Sequence, residues 1–409
     1  MNPAILEDYA RRIENDLRKN ILPFWIERVV NRDGGSFFGS LTNDLVVDPA
    51  AERGAVLTSR ILWAYSAAFA RYRDPAYLAM ADFAYGDLQS HFRDPEHGGY
   101  WWSIAAGGAV LVDRKQVLGQ AFAIYALAEY HAATGRREPL DAATATYRLI
   151  EEHAAARHGG YVDAVGRAWE PTPEGRLSGP DLDTPKSQDS HLHVVEAYTR
   201  LLTVWPDPAL RSALAKAVDV MTTRIFNPST GHLGQYFAED WTPRSGLIAY
   251  GHDIEAAWLL TLAADALGNA ELAKRIRALA VRIAGTTLDE GVDGDGGLYY
   301  HAGPGGPTDT NKEWWPQAEA VIGFLNAYEV SREERFLTAA LRTWDFIDAR
   351  IIDHKRGEWF RAVARDGRVL ENELKVGFWK CPYHNGRTGL EATRRLRQLS
   401  TGSGREREQ

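Results

Sequence analysis

The chain has 409 residues, 45% of them apolar and 25% charged, with a formal net charge of -8. That balance belongs to a folded, water-soluble protein and excludes disordered and collagen-like classes; the lack of a basic stripe argues against a nucleic-acid partner. The single cysteine, Cys381, excludes an internal disulfide and any cysteine-based zinc cage, and no run of eighteen apolar residues suggests a membrane span.

Met1 to Leu17 is charged and amphipathic, with no apolar segment of the signal-peptide kind, so a cytoplasmic location is expected. A glycine-aromatic signature then recurs: Asp33-Gly-Gly-Ser-Phe37, His97-Gly-Gly-Tyr100, His158-Gly-Gly-Tyr161, Gly231-His-Leu-Gly-Gln-Tyr236, Asp295-Gly-Gly-Leu-Tyr299 and Arg356-Gly-Glu-Trp359. Counted from the first glycine of each, successive members lie 61 to 72 residues apart, and such a fixed period marks a repeat architecture. Glycine supplies the positive-φ turn and the aromatic a short extended segment, so each signature predicts a small hairpin or turn.

Two helical patterns follow each of the first five signatures. They are Gly54–Tyr72 with Pro75–Leu88, Gln116–Ala133 with Pro139–Glu152, and Ser187–Leu202 with Pro208–Phe226. Tyr250–Leu267 with Ala270–Ala284 and Trp314–Tyr328 with Glu333–Ala349 complete the five. Asp74-Pro75 and Asp207-Pro208 place an N-cap before a proline at the first helical position. Gly135 and Gly268 stop helices, and Ser331-x-x-Glu334 reads as a capping box. A sixth pair is split between a C-terminal helix, Trp379–Leu396, and an N-terminal one, Pro3–Leu22. Each of these two needs a partner to bury its apolar face, which favours closure over an open superhelix. The expected fold is all-α: an (α/α)₆ barrel of six helical hairpins with short hairpin or turn segments at one end. Residues 1–399 would form one catalytic domain and 400–409 a flexible tail.

The first helix of each hairpin is the more apolar, as an inner ring requires, yet most carry polar residues near their start. These are Arg60; Asp189, His191, His193 and Glu196; His252 and Glu255; Trp315 and Glu319; and Trp379 with His384. Each set follows its signature by roughly 19 to 32 residues, and in a ring similar offsets bring them to one mouth. Asp189, His193 and Glu196 share a helix face, whereas His191 points about 200° away from His193. His191 therefore reads as packing, as do His97, His158 and His232. Arg60 reads equally well as an ion-pair partner of a neighbouring carboxylate. The 44 aromatic residues suit packing first and sugar stacking second.

Three chemistries fit this mouth. A metal site has ligand types in His191-x-His193 or His252-x-x-Glu255, but in no known spacing. A glycoside hydrolase has Asp189, Glu255 and Glu319 for a carboxylate pair, and leaves the histidines without work. Proton transfer at carbon uses them directly, since imidazole titrates near neutrality and can accept or donate. The enediolate formed beside a sugar aldehyde then needs a fixed cation such as the Arg60 guanidinium.

The motifs Thr58-Ser-Arg-Ile-Leu-Trp63, Phe122-Ala-Ile-Tyr125, His191-Leu-His193, Gly251-His-Asp-Ile-Glu255, Trp314-Trp-Pro-Gln-Ala-Glu319 and Phe378-Trp-Lys-Cys-Pro-Tyr-His-Asn-Gly-Arg387 resemble the cellobiose 2-epimerases of the N-acylglucosamine 2-epimerase superfamily, from about Glu7 to Leu396. The resemblance implies interconversion of glucose and mannose configuration at C2 of a reducing sugar, with no metal and no cofactor. It implies His252 and His384 as the acid/base pair and His193 as an aid to ring opening. Arg60 would hold the C1 and C2 oxygens, Glu255 would orient the sugar and His252, and Trp315 and Trp379 would stack on sugar rings. Asp189 and Glu319 join the expected substrate-binding set.

Two positions depart from the family pattern: Asp189 stands where an Asn is usual, and Leu118 where a Tyr is frequent, both expected to border the reducing-end sugar. They leave a D-mannose 2-epimerase, or an aldose–ketose isomerase, as alternatives. The expected partner is a mono- or disaccharide, with no nucleic acid and no membrane, on a monomer or weak homodimer.

Overall fold

Helix punctuation and a set of very short strands together define the architecture of the computed structural model, which describes residues 2–179 and 181–405. The inner helices are α3 (Ala55–Tyr72), α5 (Val117–Thr134), α7 (Gln188–Val204), α9 (Tyr250–Leu267), α11 (Trp314–Ser331) and α13 (His384–Arg405). The outer ones are α1 (Pro3–Asp16, extended by a π-turn and α2, Leu22–Arg28), α4 (Pro75–Asp87), α6 (Arg137–His153), α8 (Pro208–Val220), α10 (Ala270–Gly291) and α12 (Glu334–Phe346). Each inner helix packs on the next, α13 returns to α3, and each outer helix lies on its inner partner. This is a closed (α/α)₆ barrel. In α5 fourteen of eighteen residues are buried and in α6 seven of seventeen, so the inner ring is wrapped on both faces while the outer ring keeps a wet one.

The glycine signatures are tight turns that reverse the chain after each outer helix, bracketed by bridges such as Arg93–Tyr100, Ala155–Tyr161 and Ile352–Trp359. Gly98, Gly99, Gly159 and Gly160 take φ of 67–84° there, where a side chain would strain the backbone. A second tier of two-residue strands clasps the base of each hairpin: Arg53–Gly54 with Ser103–Ile104, Lys115–Gln116 with Ala164–Val165, and Lys186–Ser187 with Tyr236–Phe237. Ile248–Ala249 with Ala302–His301 and Lys312–Glu313 with Val363–Ala362 continue the series. The hairpin split by the termini has the same clasp: Leu41 N–H donates to the Val376 carbonyl at 3.0 Å. Glu358 reinforces this seam, accepting from the indole of Trp25 at 3.2 Å and the amide of Asn385 at 2.6 Å, and pairing with buried Lys380. The two terminal helices thus close the ring.

The caps at Asp74 and Asp207 and the left-handed Gly135 and Gly268 stand as expected. Ser331 does not open a capping box: it ends α11, and its hydroxyl accepts from Glu333 N–H at 3.1 Å, so α12 begins at Glu334. The last helix starts at His384 rather than Trp379, because Pro382 disfavours helix in the residue before it. It runs to Arg405, and residues 406–409 of the expected tail lie outside the described residues. Leu118 is fully buried in the core and does not line the mouth.

One repeated device explains His191. Four residues after the N-cap of α5, α7, α9 and α11 stand Gln120, His191, Asp253 and Gln317. Each accepts the backbone N–H of its glycine turn, from Tyr100 (2.8 Å), Tyr161 (2.9 Å), Leu233 (2.8 Å) and Leu298 (2.6 Å). His191 also bonds the Ser187 carbonyl at 2.6 Å through Nδ1, so both nitrogens are used. His191→Ala is expected to destabilise the fold by about 1–3 kcal/mol through the orphaned buried groups, leaving kcat near the parent value. His191→Gln, which borrows the neighbours' solution, should recover most of the loss in urea unfolding.

Candidate active site

The clasping strands set the inner helix starts at one end of the barrel, where α3, α7, α9, α11 and α13 line a cavity of about 620 Å³. Its floor and walls carry Arg60 from α3, Asp189 and His193 from α7, His252 and Glu255 from α9, Trp315 from α11, and Trp379 with His384 at the head of α13. Eight of the nine expected site residues therefore meet. The ninth, Glu319, lies beneath: it takes His384 Nδ1 on one oxygen at 2.7 Å and the Trp258 indole on the other at 2.9 Å. It touches the site through His384.

The histidines differ in their surroundings. His384 Nδ1 faces the Glu319 carboxylate, and His252 Nδ1 lies 3.1 Å from the Gln235 side-chain oxygen. Both partners only accept, so each Nδ1 carries the hydrogen and each Nε2 is left with its lone pair. Burial holds both rings below the ordinary imidazole range, with Arg60 and Arg387 adding to the effect on His384. His193 is the opposite case: Nδ1 lies 2.9 Å from Glu196 and Nε2 3.1 Å from Asp189. Burial works against its charge, but these two carboxylates outweigh it and lift the ring to about 9. Near neutral pH His193 is therefore an imidazolium, while His252 and His384 are neutral imidazoles.

Trp315 lies against both neutral rings, its centroid 4.8 Å from that of His252 and 5.5 Å from that of His384. Gly251 makes room for it, since a Cβ there would meet the indole at 2.5 Å. Arg60 has, among the described residues, no carboxylate within ion-pair distance, contrary to the ion-pair reading. Its guanidinium donates to the Trp379 carbonyl at 3.3 Å and lies over Phe122 and Tyr383 at 4.2 and 4.8 Å. Its Nε is buried without a hydrogen-bond partner, and the side chain lines the cavity as a cation caged by aromatic rings.

Under the floor sits Arg387, fully buried and bonded to Glu196, Glu255, Glu319 and the Tyr383 hydroxyl. Burial, then the nearness of Glu319, push the Glu255 carboxyl up, against the opposing pull of Arg387 and His193. Glu255, Glu319 and His384 bring ligand atoms within 4.8 Å of one another, but a guanidinium already fills that position between the carboxylates. The pair His191-x-His193 does not converge at all, since His191 serves the glycine turn.

Sequence reasoning missed Arg387, Gln235 and the rim residues Asp181, Tyr300, His301 and Arg361. Arg387 had a signal, being one helical turn from His384, and Gln235 lies inside the glycine-aromatic signature Gly231–Tyr236. His301 sits on a three-stranded sheet made of short strands, and burial pushes its ring down to about 4.

A closed helical barrel with a buried acid–base cluster and an aromatic-walled, polar mouth is the layout of a carbohydrate-active enzyme. The N-acylglucosamine 2-epimerase (GlcNAc 2-epimerase) profile matches residues 35–386. The chain is 38% identical to a cellobiose 2-epimerase of Bacteroides fragilis over 94% of its length and 98% of that protein's. It superposes on the cellobiose 2-epimerase of Bacillus thermoamylovorans B4167 with a TM-score of 0.91 at 36% identity, covering 95% and 99% of the two chains. For the cellobiose 2-epimerase of Spirochaeta thermophila DSM 6192 the TM-score is 0.89 at 39% identity, over 97% and 98%. The chain belongs to the N-acylglucosamine 2-epimerase family and is a sugar 2-epimerase, an isomerase. No helix among the described residues is long and apolar enough to cross a membrane.

Proposed function

We propose that the enzyme inverts C2 of the reducing-end sugar of a β-1,4-linked disaccharide by histidine-mediated proton transfer through a cis-enediolate. The observation that carries this reading is the pair of neutral imidazoles, His252 and His384, whose Nδ1 atoms are tied back so that Nε2 is the basic atom of each. Ring opening needs a proton on O5 and a base for the O1 hydroxyl. His193, charged at rest, gives the first, and one neutral imidazole takes the second. That exchange leaves an aldehyde, one charged member of the His252/His384 pair and one neutral member.

The neutral ring then removes the C2 proton. The C–H electron pair becomes the C1=C2 bond, and the negative charge moves to O1, where the Arg60 guanidinium meets it without changing its own protonation. The charged ring returns a proton to the opposite face of C2, which inverts it. Reclosure reverses the first exchange. A disaccharide is favoured by the names of the relatives and by the outer cavity, where Asp181, Tyr300, His301 and Arg361 offer groups to a second sugar.

The test is incubation in D₂O with cellobiose, mannobiose and mannose, followed by NMR. Deuterium at C2 together with the C2 epimer is the expected result; no exchange with any of these sugars would falsify the reading. Released monosaccharide would identify a hydrolase, a ketose would move the reaction to aldose–ketose isomerisation, and faster turnover of mannose would make the substrate a free hexose. The resting charges also set a pH profile. Activity is expected to fall as pH rises through about 9, where His193 loses its proton, and to fall on the acid side only below the ordinary imidazole range, where His252 and His384 become charged.

A further inference from the structure

One carboxylate oxygen stands between two imidazoles from neighbouring inner helices. Asp189 Oδ1 is 3.1 Å from His193 Nε2, one turn further along α7, and 3.6 Å from His252 Nε2 at the start of α9. The carboxylate is partly buried, and it lies away from Lys186, whose ammonium is taken by the carbonyls of Gly159 and Glu239. We propose that Asp189 is a positioning residue that couples these two rings, keeping His193 charged at rest and holding the charge on His252 once that ring has taken a proton. This inference rests on the proposed proton transfer and adds to it a group that acts without itself changing protonation.

In the resting site His252 Nε2 carries a lone pair, and a carboxylate oxygen at 3.6 Å gains nothing from it. When Nε2 receives the C2 proton, the same oxygen faces an N–H⁺ and the contact becomes attractive. The benefit appears only along the reaction, which is where it raises kcat rather than binding. The other groups near His252 do not serve this purpose. Gln235 fixes Nδ1, Trp315 packs on the ring, and His193, Arg60 and His301 oppose charge on it; Asp181 is the other carboxylate in reach, and its oxygens are engaged by the hydroxyls of Tyr236 (2.8 Å) and Ser178 (2.6 Å). Around Asp189 the titratable and charged neighbours are His252, His193 and Arg60.

Asp189→Asn keeps the shape and removes the charge. In protein labelled with ¹⁵N-histidine, the titration midpoint of His193 is expected to fall by one pH unit or more, and that of His252 to fall as well. The alkaline limb of kcat should move down with His193, and kcat should drop tenfold or more with KM changed less than threefold. Unchanged imidazole titrations would overturn the proposal, as would a raised KM with an unmoved pH profile, which would make Asp189 a sugar-hydroxyl acceptor only. Because the titrations need no substrate, they judge Asp189 even if C2 exchange fails in the parent enzyme. Circular dichroism and the melting temperature of the variant establish that the fold is retained.

Discussion

Alanine at His252 or at His384 is expected to stop C2 inversion, lowering kcat by about 10³-fold, within the range that a positioned general base contributes. The two variants should nevertheless fail differently. Two bases on opposite faces of one carbon divide the work, so a site that keeps one of them can still remove and return a proton on its own face. Each single variant should therefore retain slow C2–H exchange in D₂O with one epimer and none with the other, and the preferred epimer should swap between the variants. The double variant should show neither. Inversion at near-parent rate in either single variant would remove that residue from the pair, and exchange of the same epimer in both would place the rings on one face.

Stability separates the two as well. His252 is half-buried and its ring is hydrogen-bonded to Gln235, so its loss should cost little. His384 is buried and ties one oxygen of Glu319, so His384→Ala should lower stability by about 1–3 kcal/mol. A His384→Asn variant, which keeps a donor near Glu319, should recover part of that stability and none of the inversion.

Much of this arrangement is legible in the amino-acid sequence. The glycine turns announce the period, and the apolar inner helices with polar starts announce a mouth, because helix caps and 3.6-residue periodicity are local features. What escaped was non-local. The strands that clasp each hairpin are mostly two residues long, too short for an alternating pattern to register. The π-turns that end α1, α4, α8 and α12 keep helical composition while changing hydrogen-bond register, so the helices read as continuous through them. Glu319 and Glu255 share the promising position near a helix start, but only the neighbours decide that one lines the cavity while the other is saturated from behind by His384, Trp258 and Arg387. Arg387 itself sits in a helix rich in arginine, where a basic side chain reads as surface.

Arg387→Met is expected to be the most damaging single substitution in the molecule. The guanidinium is buried and bonded to three carboxylates from α7, α9 and α11, so it ties half of the inner ring together under the active site. A methionine fills the space and leaves Glu255 and Glu319 without their cation and Glu196 with His193 alone. Breaking a buried pair in this way costs about 3–5 kcal/mol, a large fraction of a typical folding free energy. Arg387→Lys keeps one charge but presents a point where a fork is needed; it should fold with a reduced midpoint and lose most activity, because His384 depends on Glu319 for its orientation. The sign of the pH effect checks the cause. Without the arginine the buried carboxyls have folded-state pKa values above their unfolded ones, so they destabilise the fold at high pH and relax as they protonate. The urea midpoint of Arg387→Met should therefore rise as pH is lowered from 8 to 6. A midpoint that fell over this range, or one within about 1 kcal/mol of the parent at pH 8, would mean that the three carboxylates find compensation elsewhere and that the floor of the site does not depend on Arg387.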